Sequence, residues 1–382
     1  MDAEVGIIGV GTMGSMVLWQ LARRGISVMG FEQFHIGHDR SAAGGETRVF
    51  RTAYKEGHEY VPLIQESYRQ WLQLEQETGT KLLNISSGLL IGDPKLKSMK
   101  NIFQSIEKYH LSNEVLNAEE AKMRYPQHHL LPNEVMIVDH HAGYIHPHYA
   151  ILSAVQRAKD LGAKVLTNAP VEKVENVGGR VQVVSNGKVF KFNKVIVTIG
   201  PYIHKMVPGL KNKIEIRQLM GTWFAAKDIK QFSHDKFPVF MREFGDTSYY
   251  GFPSIDGGTV KISLSSSSKN KIESPAHIHQ VKMEDLSTIT SIIEQHLPEL
   301  YKEPVRINTY IEGYSVDNHP IIGYLPGNQN IVIMAGFSGH GFKLAPVFGR
   351  IGADLILDEH TPFSIERFSP NRFLTDGFIT RN

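Results

Sequence analysis

The amino-acid sequence predicts an α/β protein with two domains. One is a Rossmann-like dinucleotide-binding domain that is discontinuous in the chain, and the other is an α+β domain built on a mixed or antiparallel sheet. Two glycine-rich turns, one at the N-terminus and one after a buried strand near the C-terminus, predict the first domain. A central region of short strands and turns predicts the second. With 382 residues, 41% of them apolar, the chain is long enough for both.

The N-terminal turn has the glycine pattern of a dinucleotide clamp. An apolar run over residues 5–8 precedes Gly9-Val10-Gly11-Thr12-Met13-Gly14, and a helical apolar pattern follows. In such a turn Gly9 bends the chain, Gly11 lets a pyrophosphate approach the backbone, and Gly14 lets the helix pack against the strand. The pyrophosphate is then expected at the positive end of the helix.

A second apolar run supports the same interpretation. It covers residues 26–31 and ends in Glu32, whose carboxylate is expected to accept hydrogen bonds from a ribose hydroxyl. The order of strand, glycines, helix, strand and acid predicts FAD or NAD, because the extra phosphate of NADP would need a cation here.

The remaining elements follow from the periodicity of the apolar residues. In chain order they are a helix over 61–77, a strand over 88–92, a helix over 150–162, strands over 163–167, 171–174, 181–184 and 194–200, short strands with turns over 213–265, a polar loop over 265–268, a strand over 330–335 and a helix ending near 356. We therefore assign 1–85, 145–215 and 325–382 to the dinucleotide-binding domain, and 86–144 and 216–324 to the second domain.

Composition narrows the function classes. The 41 basic and 39 acidic residues leave no charge excess that would attract nucleic acid or a membrane surface. No apolar run reaches membrane-spanning length and no leader is recognised, so a cytoplasmic protein is expected. The absence of cysteine excludes disulfides, thiolate metal sites and a flavin tethered through sulfur. The histidines His140, His141, His146 and His148 lack metal-ligand spacing, so no metal site is predicted.

Further motifs follow the N-terminal turn at residues 45–51 (GETRVFR), residues 249–253 (YYGFP), Lys261 and residues 336–343 (GFSGHGFK). In this order they resemble the monomeric sarcosine oxidase and N-methyltryptophan oxidase family. Its members are FAD enzymes of the D-amino-acid-oxidase superfamily that oxidise secondary amines of amino acids with oxygen. The resemblance covers nearly the whole chain, and it implies a substrate domain whose sheet covers the flavin. A small amino-acid-like amine and O2 are the expected partners, and a monomer is expected.

The resemblance and the chemistry together assign the cofactor contacts. Reduced flavin carries negative charge near N1, so the turn Gly339-His340-Gly341, which opens a helix, is expected to supply positive potential through backbone N–H groups. The residues expected to contact FAD are Gly9, Gly11, Thr12, Met13, Gly14, Glu32, Gln33, Arg40, Ser41, Thr47, Arg48, Val171, Gly200, Gly336, Ser338, Gly339, His340, Gly341, Phe342 and Lys343.

The reacting groups are assigned by the same resemblance. It implies that Arg51 and Lys343 bind the substrate carboxylate, a charge that needs paired cations when it is buried. It also implies that Lys261 activates oxygen, because a fixed positive charge near flavin N5 favours electron transfer to O2. Tyr250 is expected above the flavin and Arg48 near it, where a structural role for Arg48 is an alternative.

One departure from the family concerns the cofactor. Well-studied members attach FAD through a cysteine, and counting back from the acidic motif at 317–320 puts Tyr310 at that position. Since the chain has no cysteine, non-covalent FAD is predicted.

Other departures concern the substrate pocket. Gly44 lies near a family histidine, Ser265 replaces a histidine of sarcosine oxidase and Glu312 replaces a tyrosine. We expect Glu312 to pair either with a cationic group on a larger substrate or with Arg51. The altered pocket therefore argues against sarcosine itself as the substrate, and the alternatives are tryptophan-like, fructosyl-amine or saccharopine-like secondary amines.

The leading hypothesis is an FAD-dependent oxidase of a secondary amine of an amino acid, which transfers hydride to flavin N5 and forms hydrogen peroxide on reoxidation. A dehydrogenase on the same scaffold would use another electron acceptor. Two hypotheses from different classes are an NAD-dependent dehydrogenase, which would leave the C-terminal glycine-rich turn without a role, and a non-catalytic flavin-binding sensor, which the altered pocket residues favour.

Overall fold

Two large β-sheets organise the computed structural model, which describes residues 1–265 and 270–376 of the chain. In chain order its strands are β1 Val5–Ile8, β2 Val28–Phe31, β3 Arg48–Phe50, β4 Leu83–Ile85, β5 Gly88–Gly92, β6 Asn113–Leu116, β7 Val135–Asp139, β8 Gly143–Ile145, β9 Lys164–Leu166, β10 Val171–Val177, β11 Arg180–Ser185, β12 Lys188–Phe192, β13 Lys194–Val197, β14 Ile214–Ala226, β15 Val239–Phe244, β16 Thr247–Gly251, β17 Thr259–Leu264, β18 Lys271–Ile272, β19 Leu300–Ser315, β20 Ile321–Leu325 and β21 Asn328–Ala335. Its α-helices are α1 Thr12–Arg23, α2 Val61–Thr78, α3 Lys97–Tyr109, α4 Ala118–Arg124, α5 Pro147–Asp160, α6 Ser287–His296 and α7 Ala345–Ile356. Of the predicted polar loop at 265–268, only Ser265 lies within the described residues.

The first sheet has six strands in the order β20-β21-β13-β1-β2-β9. Strand β1 pairs in parallel with β13 and β2, while β20 runs antiparallel to β21 at one edge. Every residue of β1 and β2 is buried, as expected of a parallel sheet covered on both faces. Helices α1, α5 and α7 cover one face, and the small sheet β10-β11-β12 covers the other.

The second sheet is larger and mixed. Its strands follow the order β18-β14-β17-β16-β15-β5-β7-β6, with β19 paired to β14. Strands β15 and β5 are parallel, whereas the neighbouring pairs β14–β17 and β16–β17 are antiparallel. A further small sheet, β3-β8-β4, lies apart from this order. The predicted α/β fold class, with a second lobe on a mixed sheet, is confirmed.

The longest strands differ from the prediction. Sequence periodicity predicted only short strands over 213–265, but β14 has 13 residues and pairs along its length with β19, which has 16. No strand was predicted over 300–315, because Lys302, Glu303 and Pro304 interrupt its alternation. Proline at 304 is tolerated because the register shifts there, opposite Phe224.

Several element ends also differ from the prediction. The strand predicted to end at residue 200 ends at Val197, because Gly200 has φ +55° and begins a 3-10 turn, Gly200–Lys205. The C-terminal helix begins at Ala345 after another such turn, Phe342–Leu344. The domain boundaries stay a prediction, although β20, which lies before residue 325, pairs with the first sheet. Across the described ranges, we find no helix of the length and apolarity that a membrane span requires.

Candidate active site

The N-terminal turn has the shape that its glycines predict. Gly9 has φ +85°, and a Cβ placed on Gly14 would lie 1.9 Å from the Gly9 carbonyl oxygen. The Thr198 hydroxyl donates a hydrogen bond to that oxygen at 2.6 Å, so the turn is fixed to the end of β13. A Cβ on Gly11 would meet no atom within 4 Å, because Gly11 borders open space. Packing therefore requires glycine at 9 and 14, whereas Gly11 leaves room for a ligand.

Helix α1 presents an open positive end at this turn. It begins at Thr12 without a side-chain cap and with no acidic residue in its first turn. Its first N–H groups are therefore available to an anion, and the helix dipole favours negative charge there. This end of the site fits a pyrophosphate.

Glu32 follows β2 and is 3% exposed. The backbone N–H groups of Val10 and Phe34 each donate to its carboxylate at 3.0 Å, and a ring nitrogen of His38 lies 3.3 Å away. Burial alone would raise the pKa of Glu32, but the hydrogen bonds from His38 and Phe34 lower that pKa below its ordinary value. An ionised, hydrogen-bonded carboxylate therefore lines the cavity where a ribose is expected.

A single cavity runs from this turn to the second sheet. The predicted residues that line it are Gly9, Gly11, Thr12, Met13, Glu32, Gln33, Ser41, Arg48, Val171, Gly200, Glu312, Gly336, Gly339, Gly341 and Phe342. The predicted cofactor contacts outside its wall are Gly14, Arg40, Thr47, Ser338, His340 and Lys343. Arg40 is exposed, with its guanidinium 4.8 Å from the ring centre of Phe34.

Sequence reasoning missed part of this wall. Residues at the ends of parallel strands and just beyond them, Ala169, Pro170, Thr198, Ile199 and Tyr202, also line the cavity. Their position was available as a signal, because ligands of open parallel sheets bind outside the carboxyl ends of the strands. The wall is continuous from the N-terminus of α1 to the C-terminal glycine-rich turn, and this arrangement fits an extended dinucleotide such as FAD.

The C-terminal glycine-rich turn is bonded to the end of β19. Gly336, Ser338 and Gly339 all have positive φ, at +63°, +53° and +81°. The Ser338 N–H donates to the Gly313 carbonyl at 3.2 Å, and the Ser315 N–H donates to the Ser338 hydroxyl at 3.1 Å. The cofactor-side turn and the sheet that covers it therefore form one hydrogen-bonded unit.

His340, in the middle of this turn, has a buried side chain. Its two ring nitrogens lie 3.3 Å from the Tyr54 hydroxyl and 3.1 Å from the Asn318 carbonyl oxygen. Burial lowers the pKa of His340 to about 4, so the ring is neutral at pH 7. Any positive potential at this turn comes from its backbone N–H groups.

Arg51 is 2% exposed and already has an acidic partner. Its Nη2 donates to both carboxylate oxygens of Glu56, at 2.9 and 2.6 Å, and its Nη1 donates to the Ala53 carbonyl at 2.9 Å. Burial alone would raise the pKa of the Glu56 carboxyl, but the positive charge of Arg51 holds that pKa well below its ordinary value. The alternative that Glu312 pairs with Arg51 is therefore wrong, because Glu56 has that place.

Lys343 is buried against Tyr54, as Arg51 is, and its side chain is 6% exposed. Its Nζ donates to the His340 carbonyl at 3.3 Å and lies 5.4 Å from the ring centre of Tyr54. Burial, reinforced by the positive charge of Arg51, lowers the pKa of Lys343 to about 7. An incoming carboxylate would raise that pKa again and fix the ammonium form.

Lys261 is buried separately, in the middle of β17, and is 5% exposed. Its Nζ lies 3.5 Å from the Thr47 carbonyl oxygen and 5.2 Å from the ring centres of both Trp223 and Phe252. Burial lowers the pKa of Lys261 well below its ordinary value, and the nearby Arg48 lowers it further.

The Arg48 guanidinium binds backbone carbonyl groups rather than carboxylates. Its guanidinium donates to the carbonyl of Thr47 at 2.7 Å and to the carbonyls of Ala42 and Gly44. It thereby fixes the loop between β2 and β3 that borders the cavity.

Two further predicted residues lie on the second sheet. Tyr250 is half-buried in β16, edge-on to Phe252 with ring centres 5.9 Å apart. The Ser265 N–H donates to the Ser248 carbonyl at 2.8 Å, just beyond the end of β17.

Tyr310 and Gly44 fit against each other, although no pattern in the sequence connects them. Tyr310 lies in β19 and is 6% exposed, and a Cβ on Gly44 would lie 2.1 Å from its Cδ1. A Cβ on Gly45 would be 3.1 Å from both the Tyr310 hydroxyl and Lys261 Nζ. Glycine at 44 thus leaves room for the ring at 310, beside the buried lysine.

Comparison with known proteins gives consistent results. A family described as FAD dependent oxidoreductase matches residues 4–355. The chain is 32% identical to monomeric sarcosine oxidase from Bacillus sp. (strain B-0618), over 97% of this chain and 96% of that protein. It is 29% identical to N-methyl-L-tryptophan oxidase from Yersinia pseudotuberculosis (strain YPIII), over 98% of this chain and 100% of that protein.

Solved structures share the fold at lower identity. The open form of NikD, an amino acid oxidase of nikkomycin biosynthesis, superposes with a TM-score of 0.82 at 20% identity, covering 96% of this chain and 97% of NikD. L-proline dehydrogenase from P. horikoshii superposes with a TM-score of 0.83 at 22% identity and covers 98% of both chains.

Proposed function

Because the chain belongs to the family of FAD-dependent oxidoreductases, we propose that it oxidises the secondary amine of an N-alkyl amino acid and uses O2 as the electron acceptor, forming hydrogen peroxide. Sarcosine and N-methyl-L-tryptophan, after which two relatives are named, are both N-methyl amino acids. The substrate class of this chain is proposed from what those names have in common.

The observation that carries the proposal is the burial of two lysines. Lys343 and Lys261 are 6% and 5% exposed, and their Nζ atoms contact backbone carbonyls rather than carboxylates. Burying an ammonium group costs several kcal/mol unless an anion compensates for it. An amino-acid carboxylate supplies that anion at Lys343, and the negative charge that develops on oxygen during its reduction supplies it at Lys261.

In the proposed reaction, Lys343 and the residues packed around it bind and orient the substrate. Lys343 holds the substrate carboxylate as a point charge, with Arg51 and its partner Glu56 beside it. The fully buried Tyr54 has its ring centre 4.6 Å from the Arg51 guanidinium. When bound, FAD accepts a hydride from the carbon beside the nitrogen and returns two electrons to O2. No residue needs to remove a proton if the amine reacts in its neutral form.

We also propose that FAD is bound without a covalent bond, since the chain has no cysteine and Tyr310 fills the space against Gly44. Precipitating the yellow protein with acid tests this directly. We expect all the flavin in the supernatant, whereas flavin that stays with the pellet would contradict non-covalent binding.

The proposed function is tested by anaerobic titration of the purified holoenzyme, with flavin absorption as the readout. N-methyl amino acids, fructosyl amines and saccharopine are added one at a time. We expect N-methyl amino acids to bleach the flavin, and air to restore its colour with one peroxide formed per substrate. Bleaching that air does not reverse would replace the oxidase with a dehydrogenase, and a flavin that no amine bleaches would overturn the substrate class.

A further inference from the structure

The carboxylate of Glu312 lies in the wall of the cavity. It is half-buried, and its Oε1 accepts the Gly339 N–H at 2.9 Å. Within residues 1–265 and 270–376, no lysine, arginine or histidine nitrogen forms an ion pair with it. A carboxylate taken partly out of water in this way favours a cation as its ligand.

The cation directly opposite Glu312 in the sheet has another partner. Arg217 on β14 lies directly opposite Glu312 on β19, so the two side chains start from the same face. However, the Arg217 guanidinium donates to Glu215 at 3.1 and 2.9 Å and lies 4.3 Å from the ring centre of Tyr314. The cross-strand ion pair that the register allows is therefore not formed.

Arg48, which also lines the cavity, and the buried cations Arg51 and Lys343 have other partners as well. The guanidinium of Arg48 donates to backbone carbonyls, and that of Arg51 is bound to Glu56. Lys343 Nζ donates to the His340 carbonyl. Burial accordingly raises the pKa of Glu312, and these surrounding charges offset only part of that rise.

We propose that Glu312 binds a positively charged group on the side chain of the substrate, so that the preferred substrates are N-alkyl amino acids with a second, cationic nitrogen. This inference rests on the proposed function. Such a substrate presents its carboxylate to Lys343 and its distal cation to Glu312. The reacting nitrogen is a poorer partner for Glu312, because a carboxylate there would hold that amine in the protonated form, which cannot give up a hydride.

A pair of substrates that differ by one charge tests the proposal on the holoenzyme. Nα-methyl-L-lysine and Nα-methyl-L-norleucine have the same four-carbon side chain, and only the lysine derivative ends in an ammonium group. We expect the lysine derivative to half-saturate anaerobic flavin reduction at a concentration about 10- to 100-fold lower, the range expected for one charge-assisted hydrogen bond. Glu312→Gln, which keeps the shape and removes the charge, should abolish this difference.

A binding measurement gives a readout that needs no turnover. 6-Aminohexanoate is lysine without its α-amine, and hexanoate lacks the distal cation as well. By calorimetry on the holoenzyme we expect 6-aminohexanoate to bind about 10- to 100-fold more tightly, and Glu312→Gln to remove the preference. Glu175→Gln, which neutralises an exposed carboxylate on β10, serves as the matched control and should keep it.

The outcomes separate this inference from the proposed function. If both N-methyl amino acids bleach the flavin equally well and hexanoate binds as tightly as 6-aminohexanoate, the role of Glu312 is wrong and the amine oxidase stands. If neither amine bleaches the flavin but 6-aminohexanoate binds in a Glu312-dependent manner, the cation site stands and the proposed reaction falls. Even if Glu312→Gln does not fold, equal binding of hexanoate and 6-aminohexanoate by the wild type would overturn the role of Glu312.

Discussion

Lys261 and Lys343 are both buried, but their surroundings separate their roles. Lys261 lies between the rings of Trp223 and Phe252, whereas Lys343 lies beside Arg51 within an ionic cluster. The sequence indicated both lysines through their motifs. It could not indicate that Arg51 already has an acidic partner, because that contact depends on how the loop after β3 folds back. Motifs identify residue types, but pairing between them is a property of the folded backbone.

At the residue scale we predict the effect of replacing Lys261. Lys261→Met keeps the length and removes the charge that favours electron transfer to oxygen, so we expect reoxidation of the reduced flavin by O2 to slow by about 100-fold. Reduction of the flavin by substrate should change by less than about 3-fold. Stopped-flow absorption measures the two half-reactions separately. Lys227→Met, at an exposed position beyond the end of β14, is the control, and equal slowing of both half-reactions in Lys261→Met would remove the oxygen role.

At the scale of elements, the sequence predicted the units formed by neighbouring residues. It did not predict a strand that is held by contacts with a distant part of the chain. The β1–turn–α1 unit was predictable because its glycines, strand and helix lie within one short stretch of sequence. Strand β19 was not, since it is held by β14 about 90 residues earlier and by no local signal. The complementarity of Gly44 and Tyr310 was hidden for the same reason, as the two residues meet only after the sheet closes over the loop.

Two glycines of the same turn are predicted to fail in different ways. In Gly14→Ala the new methyl meets the Gly9 carbonyl at 1.9 Å, so we expect the free energy of unfolding of the apoprotein to fall by about 3 kcal/mol. In Gly11→Ala the methyl points into open space, so stability should change by less than about 0.5 kcal/mol while FAD binds at least about 10-fold more weakly.

Urea unfolding of the apoprotein and fluorescence titration with FAD distinguish these two effects. Each variant serves as the control for the other, because both add one methyl to the same turn. Wild-type FAD affinity in Gly11→Ala would show that the space beside Gly11 is not the pyrophosphate site.

At the scale of the whole molecule, buried histidines tie stability to pH. His128 is 3% exposed, stacks on Phe237 with ring centres 4.9 Å apart, and has no hydrogen-bond partner among the described residues for either ring nitrogen. His296 is fully buried, with its Nδ1 2.6 Å from the Tyr249 hydroxyl. Burial lowers the pKa of His128 to about 3 and that of His296 to about 4. Both rings are therefore neutral in the folded protein.

We predict that His128 and His296 are two of the buried histidines through which acid destabilises the protein; His340 is a third. Each binds a proton more tightly in the unfolded chain, where its pKa is about 6.5, so their stabilising contribution is complete above that pH and is lost as the pH falls below it. Between pH 7 and pH 5 the free energy of unfolding should fall by about 2 kcal/mol per histidine.

Urea unfolding at the two pH values measures this loss. His128→Phe, which suits the stacked aromatic site, should reduce the loss by about 2 kcal/mol, whereas the same change at the exposed His360 should leave it unaltered. If His128→Phe and the wild type lose stability equally, His128 is not the source.

Neither large sheet comes from one continuous stretch of the gene. The strands of the first sheet lie between residue 5, in β1, and residue 335, in β21. The strands of the second sheet, such as β5 and β7, lie within that same range of the sequence. No single continuous segment of the sequence therefore contains the second sheet alone, so that sheet could not be transferred to another protein as one segment. This topology makes recombination a poor route to a new substrate and favours point substitutions made in place. Positions 44 and 310, which pack directly against each other, are a pair that would have to be substituted together.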